Sequence, residues 1–313
     1  MPETLSFNLE KLQDLRYGEN PHQKAGLYKM DNSVDFELLN GKELSYNNIA
    51  DMASAFDLVC EFIGVCACAI IKHSNPCGVA IGKNVSDAYS RALECDPISA
   101  FGGIVAFNEK VDLSVAKMMK EIFLEVIIAP DFDNDAVEYL KQKKNLRLVK
   151  VNTDILTYKQ IPQVDIKNTK FGTLIQTKED IELGKDNFKI VTKAKPDERM
   201  IEDMLFAWKV VKHVKSNAIV VAKDKRTLGI GMGQTSRVAS MEIAIAQACD
   251  EAKDAVAASD GFFPATDNIQ VAGQNRIAAI IQPGGSIKDE DVIKECDKYN
   301  VAMVMTGMRH FLH

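Results

Sequence analysis

The stretch Ala69-Ile70-Ile71-Lys72-His73-Ser74-Asn75-Pro76-Cys77-Gly78 joins a short apolar run to a cluster of polar and turn-forming residues. The run is typical of a buried strand, and the residues after His73 predict a polar loop. In α/β sheets, ligands bind beyond the carboxyl ends of strands. We therefore expect Lys72 and His73 to face a ligand, although a solvated strand end with a satisfied histidine fits the same pattern.

The residues on either side of this stretch alternate between helical and extended patterns. Apolar side chains recur at helical spacing on both sides, and short apolar runs stand between them. The predicted elements are a helix over 47–63, a helix capped by Ser86 and reaching about Leu93, a strand over 103–107, a helix over 111–127 and a strand over 146–151. This alternation predicts an α/β layered fold whose helices cover a mostly buried sheet.

The second part of the chain repeats this pattern after a connecting segment at about 152–170. The predicted elements are strands over 171–176 and 188–191, a helix from Pro196-Asp197 to about Val214, a strand pair joined near 224–226, a helix over 236–258, strands over 278–282 and 301–305, and a helix over 288–298. Lys215-Ser216-Asn217 echoes the Lys72–Asn75 stretch, which hints at a duplication. We expect one subdomain over 1–170 and a second over 171–313.

Composition limits the classes of function. The chain has 313 residues, of which 46% are hydrophobic and 26% are charged, and its net charge is −6. This balance argues against a nucleic-acid-coating surface. No apolar run reaches the roughly 20 residues of a membrane span, and the first residues are polar where a signal peptide would be apolar. We therefore expect a cytoplasmic protein that binds neither membranes nor nucleic acids. The seven cysteines, an odd number, fit reduced thiols better than a disulfide framework.

Histidine beside lysine supplies a base and an electrophile together, so Lys72-His73 is a candidate catalytic pair. The same stretch also invites a zinc interpretation, because zinc deaminases combine H-x-E with P-C-x-x-C. Here Asn75 stands in place of the glutamate and Ala80 in place of the second cysteine. One histidine and one cysteine are too few ligands, so we predict no metal.

Several other motifs could bind a ligand, and each has a plainer interpretation. Arg16-Tyr17-Gly18 suits phosphate recognition but could be an exposed turn, and Gly102-Gly103 could admit a ligand or form a tight turn. The glycine-rich stretch 229–237 runs into a helix and resembles a phosphate cradle in which Arg237 would bind the anion. Phe262 or Phe263 could stack on a heterocycle or lie in the core.

Ten ordered stretches resemble the transformylase domain of the bifunctional purine-biosynthesis enzyme, which joins 5-aminoimidazole-4-carboxamide ribonucleotide (AICAR) transformylase to inosine monophosphate (IMP) cyclohydrolase. They include LRYGENPHQKA, LNGKELSYNNIAD, IIKHSNPCGVA, DPISAFGGIVAFN, VKSNAIVVAK, GIGMGQTSRV, ASDGFFP and MRHFLH. The resemblance implies two zinc-free, cytidine-deaminase-like α/β subdomains. It also implies an obligate homodimer with active sites at the interface. The family transfers a formyl group from 10-formyltetrahydrofolate, a co-substrate, to the 5-amino group of AICAR.

The resemblance also assigns roles to particular residues. Lys72, His73 and Asn217 match the catalytic set. Other positions match substrate contacts, with Arg237 expected from the partner chain: Arg16, Tyr17, Gly102, Glu125, Arg237, Phe262, Arg309 and His313. The folate cofactor is expected at Val238, Asp267, Ser286 and Ile287.

Two departures from the family pattern carry expectations of their own. Ala265-Thr266 replaces an aromatic residue and an arginine, which leaves open another donor such as formyl phosphate. The cyclohydrolase domain that normally precedes LRYG is missing, so we expect a stand-alone transformylase that makes no IMP and relies on a separate cyclohydrolase. A non-catalytic nucleotide-binding paralogue is the remaining alternative.

Overall fold

A computed structural model of the protein describes residues 1–30, 33–161, 164–179, 181 and 183–313. In these residues, helices cover both faces of one twelve-stranded mixed sheet. Two smaller ribbons stand apart from it. The first pairs β1 (Glu10–Leu15) with β2 (Ala25–Lys29), and the second pairs β9 (Val164–Thr169) with β10 (Gly172–Thr177).

The first half of the large sheet comes from residues 36–151. Its elements, in chain order, are β3 (Phe36–Asn40), α1 (Tyr46–Val59), β4 (Cys66–Lys72), β5 (Asn75–Gly82), α2 (Val85–Leu93), β6 (Ile104–Phe107), α3 (Leu113–Met119), β7 (Val126–Ala129), α4 (Asn134–Leu140) and β8 (Arg147–Val151). A short helix, α5 (Ile155–Gln160), follows.

The second half comes from residues 189–305 and repeats the same order. Its elements are β11 (Lys189–Ile190), α6 (Glu198–Val211), β12 (Ile219–Lys223), β13 (Arg226–Gly231), α7 (Arg237–Ala248), β14 (Val256–Ser259), α8 (Asp267–Gln274), β15 (Ala279–Gln282), α9 (Asp289–Tyr299) and β16 (Ala302–Met305). Ten elements of the first half thus have counterparts in the second.

The strand order is palindromic. It reads β11-β16-β15-β14-β12-β13 in one half and β5-β4-β6-β7-β8-β3 in the other, and antiparallel β5 and β13 meet at the junction. Thr227 on β13 closes this junction, because its hydroxyl contacts both the N–H and the carbonyl of Val79 on β5. The two halves are therefore related by an approximate twofold axis.

The core follows the same division. α1 and α6 cover one face of the sheet in a continuous apolar layer. On the opposite face, α2, α3 and α4 cover the first half, and α7, α8 and α9 cover the second. Alternation along β4 explains the two layers, since Ala67, Ala69 and Ile71 face α1 whereas Cys68 and Ile70 face the other side. Cys68 is buried and Cys66 is partly buried.

Glycines on the two central strands let helices approach closely. A Cβ on Gly78 would lie 1.9 Å from the Ala92 carbonyl oxygen of α2, and a Cβ on Gly229 would lie 1.9 Å from the Ala244 carbonyl oxygen of α7. Position 229 therefore needs a glycine because α7 packs closely against β13. The phosphate cradle predicted for this stretch is not needed to account for Gly229.

Most predicted elements are present, but four predictions were wrong. The expected loop at 75–78 begins strand β5, because a two-residue turn returns the chain directly. Asn84 caps α2 in place of Ser86. The expected helix over 111–127 ends at Met119, and the apolar residues that follow form β7. The expected helix over 236–258 ends at Ala248, and its last residues form β14.

The connecting segment also differs from the prediction. Within its described residues it contains α5 and β9; Pro162 and Gln163 lie outside them. The expected boundary at 170/171 falls in the turn of the β9–β10 ribbon, which lies between the two repeated sets of elements.

The repeated element order supports the duplication at which the echo of Lys72–Asn75 in Lys215–Asn217 hinted, but the two stretches do not occupy corresponding positions. The first stretch follows β4, whereas the second precedes β12, so they lie at opposite ends of corresponding strands. The palindromic order nevertheless brings both to one edge of the sheet, since β12 runs opposite to β4. We call this edge the Lys72 edge.

Candidate active site

The Lys72 edge collects most of the predicted site residues. β4, β14, β15 and β16 end there, and β6, β7 and β12 begin there. The residues placed beside these strand ends are Lys72, His73, Gly102, Glu125, Asn217, Asp260, Ser286 and Arg309. Four neighbouring strands from β4 to β12 span about 14 Å at the usual strand spacing. The edge therefore holds two groups of side chains, one in each half of the sheet.

The first group centres on the turn between β4 and β5. His73 and Ser74 form this two-residue turn, and both have left-handed backbone angles, with φ of 54° and 58°. The carboxylate of Asp51, on α1, accepts hydrogen bonds from the His73 N–H at 3.1 Å and the Ser74 N–H at 2.8 Å. The His73 side chain is exposed at the tip.

Lys72 points towards the loop before β6. Its Nζ donates a hydrogen bond of 2.8 Å to the carbonyl of Phe101, next to Gly102. Gly102 has a φ of 75°, and its N–H bonds to the Phe123 carbonyl at 2.8 Å. The structure thus gives Gly102 a tight turn beside the Lys72 ammonium group.

Glu125 directly precedes β7 at the same edge. Its carboxylate pairs with Arg147 at 2.7 Å, and its N–H bonds to the carbonyl of Gly103 at 3.0 Å. Lys72, Gly102 and Glu125 therefore stand beside three strand ends that are neighbours in the sheet.

Arg16 and Tyr17 follow β1 and lie near the start of α1. The Arg16 guanidinium lies 5.7 Å from the centre of the Tyr17 ring. The Asn47 side chain ties this turn to α1 by donating to the Glu19 carbonyl at 3.2 Å. The segment therefore approaches the N-terminal end of the helix that carries Asp51, although in the described part of the chain no hydrogen bond joins Arg16 to Lys72 or His73.

The second group centres on Asn217 and Arg237. Arg237 is buried, and its guanidinium contacts the carboxylate of Asp260 and the hydroxyl of Ser259. It also donates to the side-chain oxygen of Asn217 at 2.7 Å, and the Asn217 amide donates to the Gln234 carbonyl at 2.8 Å. These contacts, all within one chain, fix the Asn217 carboxamide.

A pocket of about 420 Å³ opens over this group. It brings together five predicted site residues, namely Asn217, Arg237, Val238, Phe262 and Asp267. Phe262 is partly exposed in the pocket, whereas Phe263 is buried in the core, which resolves the choice that the sequence left open. An apolar wall with a few fixed polar groups is typical of a small-molecule site.

The C-terminal segment forms part of this pocket through Phe311. Arg309 lies over the Phe311 ring at 4.8 Å, and the His313 ring lies 6.0 Å from it. Leu312 exchanges hydrogen bonds with Ser216, the neighbour of Asn217. The predicted positions Arg309 and His313 thus reach the pocket rim.

Ser286 and Ile287 lie further along the same edge, after β15. Ser286 caps the turn before α9, and Ile287 is almost fully exposed. Neither residue lines the 420 Å³ pocket.

One direct hydrogen bond between described residues joins the two groups of side chains. The side-chain oxygen of Asn75, next to the His73-Ser74 turn, accepts from the Lys215 N–H at 3.1 Å. Lys215 leads directly to Ser216 and Asn217. The hairpin that carries His73 and the segment that carries Asn217 therefore hold each other in place.

Sequence reasoning missed four residues of the site: Asp51, Asp260, Asn268 and Phe311. Asp51 and Asp260 lie within the motifs LNGKELSYNNIAD and ASDGFFP, but their contacts come from distant parts of the chain. Asn268 lines the pocket, and its buried side-chain oxygen has no hydrogen-bond partner among the described residues. A ligand donor would satisfy it.

Metal ligation finds little support in the described residues. They contain no group of three or more His, Cys, Asp or Glu side chains placed to hold a metal ion. Burial raises the pKa of Cys77, the cysteine of the deaminase-like Pro-Cys pair, to about 12. Cys77 is therefore a protonated thiol at neutral pH. The described helices include none long and apolar enough to cross a bilayer.

A mixed α/β sheet with converging polar groups and a pocket at one edge is typical of enzymes and other proteins that bind small molecules. The model of the AICARFT/IMPCHase bienzyme family matches residues 1–247, and the chain belongs to this family.

Bacterial relatives agree with this assignment. The chain is 52% identical over 319 residues to the bifunctional purine biosynthesis protein PurH of Caldicellulosiruptor saccharolyticus, covering 100% of this chain and 61% of that protein. It is 54% identical to PurH of Caldicellulosiruptor bescii, covering 97% and 60%, and 51% identical to PurH of Bacillus thuringiensis (strain Al Hakam), covering 100% and 61%. The chain thus spans about 60% of the length of these relatives.

Proposed function

We propose that this chain is an AICAR formyltransferase of purine biosynthesis, with 10-formyltetrahydrofolate as the donor. The observation that carries the proposal is the placement of Lys72, His73 and Asn217 at one edge of the sheet, beside a pocket, in a chain of the bienzyme family. A binding protein would need no exposed base at such a turn. The stretches that resemble the transformylase domain run from Leu15 to His313.

The reaction joins the 5-amino nitrogen of AICAR to the formyl carbon and breaks the bond between that carbon and N10 of the folate. The amine is a poor nucleophile because its lone pair is delocalised into the imidazole ring and the carboxamide. His73 accepts the proton that the amine loses, and Lys72 stabilises the oxyanion or protonates the departing folate nitrogen. N10 gains one proton for the one that the amine loses: either His73 passes its proton to N10, or Lys72 protonates N10 and is itself reprotonated from His73. Asn217, fixed by Arg237, orients the formyl oxygen or the amine.

Substrate binding uses the remaining residues of the edge. We place the nucleotide near Arg16, Tyr17, Gly102 and Glu125, and its heterocycle against Phe262. The folate lies towards Val238 and Asp267, with Ser286 and Ile287 further along the edge. The unpaired oxygen of Asn268 supports a polar ligand in this pocket.

Donor identity is tested by turnover with each candidate. Purified protein with AICAR and 10-formyltetrahydrofolate should release tetrahydrofolate and give formyl-AICAR, and the 313-residue chain should give no IMP. Turnover with formyl phosphate alone would refute the folate assignment and support the alternative that Ala265-Thr266 left open. Tight AICAR binding without turnover with either donor would identify a nucleotide-binding paralogue.

We also propose a homodimer with shared sites. The strands beside the two side-chain groups, β4 and β12, lie about 14 Å apart at the usual strand spacing. In the proposed dimer, the partner chain brings its Arg237 group to the His73 group. Mixing His73→Ala with Arg237→Lys tests this. Shared sites should restore up to about a quarter of the wild-type activity, because half of the dimers are mixed and each has one intact site. Sites built from one chain would restore none.

The domain division is a proposal supported by the repeated element order. We place two cytidine-deaminase-like subdomains at 1–170 and 171–313. Limited proteolysis should cut first between β8 and β11, and early cuts inside β5 or β13 would contradict the division.

A further inference from the structure

The turn that carries His73 adopts a backbone conformation that its residues do not favour. Lys72 pairs with Asn75, so His73 and Ser74 are the two central residues of the hairpin turn. Turns of this kind prefer asparagine, aspartate or glycine, because both residues have positive φ. A histidine and a serine keep this geometry only where the surroundings hold it.

Asp51 supplies the contacts that hold the turn. It is the sixth residue of α1, and its two carboxylate oxygens accept from the His73 and Ser74 N–H groups. The Ser74 hydroxyl adds a third hydrogen bond, at 3.1 Å. The His73 ring, by contrast, makes no hydrogen bond to any residue that the structure describes. The position of the imidazole is therefore set by the backbone, and the backbone is held by Asp51.

The second half of the fold repeats this arrangement, in which an aspartate of a helix binds the N–H groups of a hairpin turn, but its turn contains no histidine. Asp203 is the sixth residue of α6, and its carboxylate accepts from the Asp224 N–H at 2.9 Å and the Lys225 N–H at 2.7 Å. Asp224 and Lys225 also have positive φ, of 52° and 57°. Because β12 runs opposite to β4, this turn lies at the edge opposite to Lys72.

We infer that Asp51 is a positioning residue for His73: its carboxylate fixes the left-handed turn and thereby aims the imidazole at the reacting amine. The inference rests on the proposed function. Asp203 holds its own turn by the same contacts, but that turn faces no candidate site. A comparison of the two aspartates therefore distinguishes an effect on stability from an effect on catalysis.

The experiment compares Asp51→Asn with Asp203→Asn in the formyl-transfer assay. Asparagine keeps the shape but can accept only through one oxygen, so both turns should loosen. Asp51→Asn should lower kcat about 30-fold with a KM for AICAR within about threefold, because misplacement of a catalytic group by about 1 Å can cost up to 10²-fold. Asp203→Asn should lower the melting temperature by at least as much as Asp51→Asn does. Its kcat should stay within about threefold of the wild-type value.

A rescue variant keeps the test informative if Asp51→Asn is unstable. Ser74→Gly favours the turn through the backbone itself, so the double variant should regain stability and at least a third of the lost kcat. A kcat for Asp51→Asn within threefold of wild type, or an equal loss in Asp203→Asn, would overturn the positioning role. So would a stable double variant that regains no activity. Absence of turnover in the wild type would refute the proposed function, and the role of Asp51 would fall with it.

Discussion

The guanidinium of Arg237 contacts the carboxylate of Asp260, and both side chains are buried beside the pocket. Asp260 directly follows β14, whereas Arg237 begins α7, so the ion pair joins the first turn of a helix to the Lys72 edge. The same guanidinium donates to Asn217. The pair thus links the stability of the edge to the orientation of a proposed catalytic side chain.

Removing the Asp260 charge should destabilise the protein strongly. Asp260→Asn leaves a buried guanidinium without its counter-charge. We expect the free energy of unfolding to fall by about 3–5 kcal/mol. Urea denaturation at pH 7 measures this change. Asp131→Asn is the matched control, because Asp131 pairs with Lys150 and Lys110 on the surface and should cost less than about 1 kcal/mol. Equal losses in the two variants would contradict the buried pair's importance.

The adjacent aromatics Phe262 and Phe263 should respond oppositely to truncation. Phe262→Ala removes a pocket wall that is partly exposed, so KM for AICAR should rise about tenfold with little change in stability. Phe263→Ala empties a fully buried site and should cost about 3–5 kcal/mol of stability. Steady-state kinetics and thermal denaturation of both variants distinguish the two roles. An unchanged KM in Phe262→Ala would exclude the ring from the substrate site.

A buried charge cluster around Glu61 should make stability depend on pH. Burial raises the pKa of Glu61, but hydrogen bonding and charge from His213 and then Lys212 outweigh it and hold this pKa well below its usual range. The Glu61 carboxylate therefore contributes to the free energy of unfolding above its unfolded pKa of about 4.3. This contribution is lost as the pH falls below that value. Glu61→Gln should cost about 3 kcal/mol at pH 7.

Denaturation across pH 7 to 3 measures the Glu61 effect directly. The difference in unfolding free energy between wild type and Glu61→Gln should stay constant down to about pH 5. It should then shrink, because Glu61 of the unfolded wild-type chain binds a proton while the native carboxylate stays ionised. A gap that is the same at pH 3 as at pH 7 would show that the Glu61 charge does not stabilise the fold.

Thiol labelling should find a single reactive cysteine in the native protein. Cys249 is exposed, whereas the other six thiols are buried or partly buried. Burial raises the pKa of Cys66 to about 11 and that of Cys296 to about 12. A disulfide reagent at pH 8 should therefore label one thiol quickly, and Cys249→Ser should abolish the fast phase. Two or more fast thiols would contradict the placement of the cysteines.

The sequence predicted the elements whose patterns are local. α1 and α9 have clear helical spacing, and β6 and β8 are short apolar runs with distinct ends. β5 was missed because its first residues, Asn75 and Pro76, read as a loop; Pro76 sits directly after the turn, where the strand tolerates it. β14 was missed because its alanine-rich run continues the pattern of α7 without a breaking residue.

Only the site residues that stand in distinctive local stretches of sequence were predicted. Lys72, His73 and Asn217 stand in distinctive local stretches, so their importance was visible without a structure. Asp51 reaches the turn from a helix 22 residues earlier, and Asp260 lies 23 residues after Arg237, beyond α7 and β14. The palindromic pairing of β5 with β13, which brings the two halves of the site to one edge, leaves no trace in local periodicity.

The most direct test of the proposed function compares two equivalent turn positions in the formyl-transfer assay. His73 and Asp224 are the first residues of the corresponding turns, with φ of 54° and 52°, and asparagine tolerates this conformation at either position. His73→Asn should reduce kcat for AICAR by 10²-fold or more, since the base is lost, whereas Asp224→Asn should keep kcat within about twofold of wild type. A His73→Asn enzyme that turns over as fast as Asp224→Asn would contradict the assignment of His73 as the proton acceptor and of the Lys72 edge as the active site.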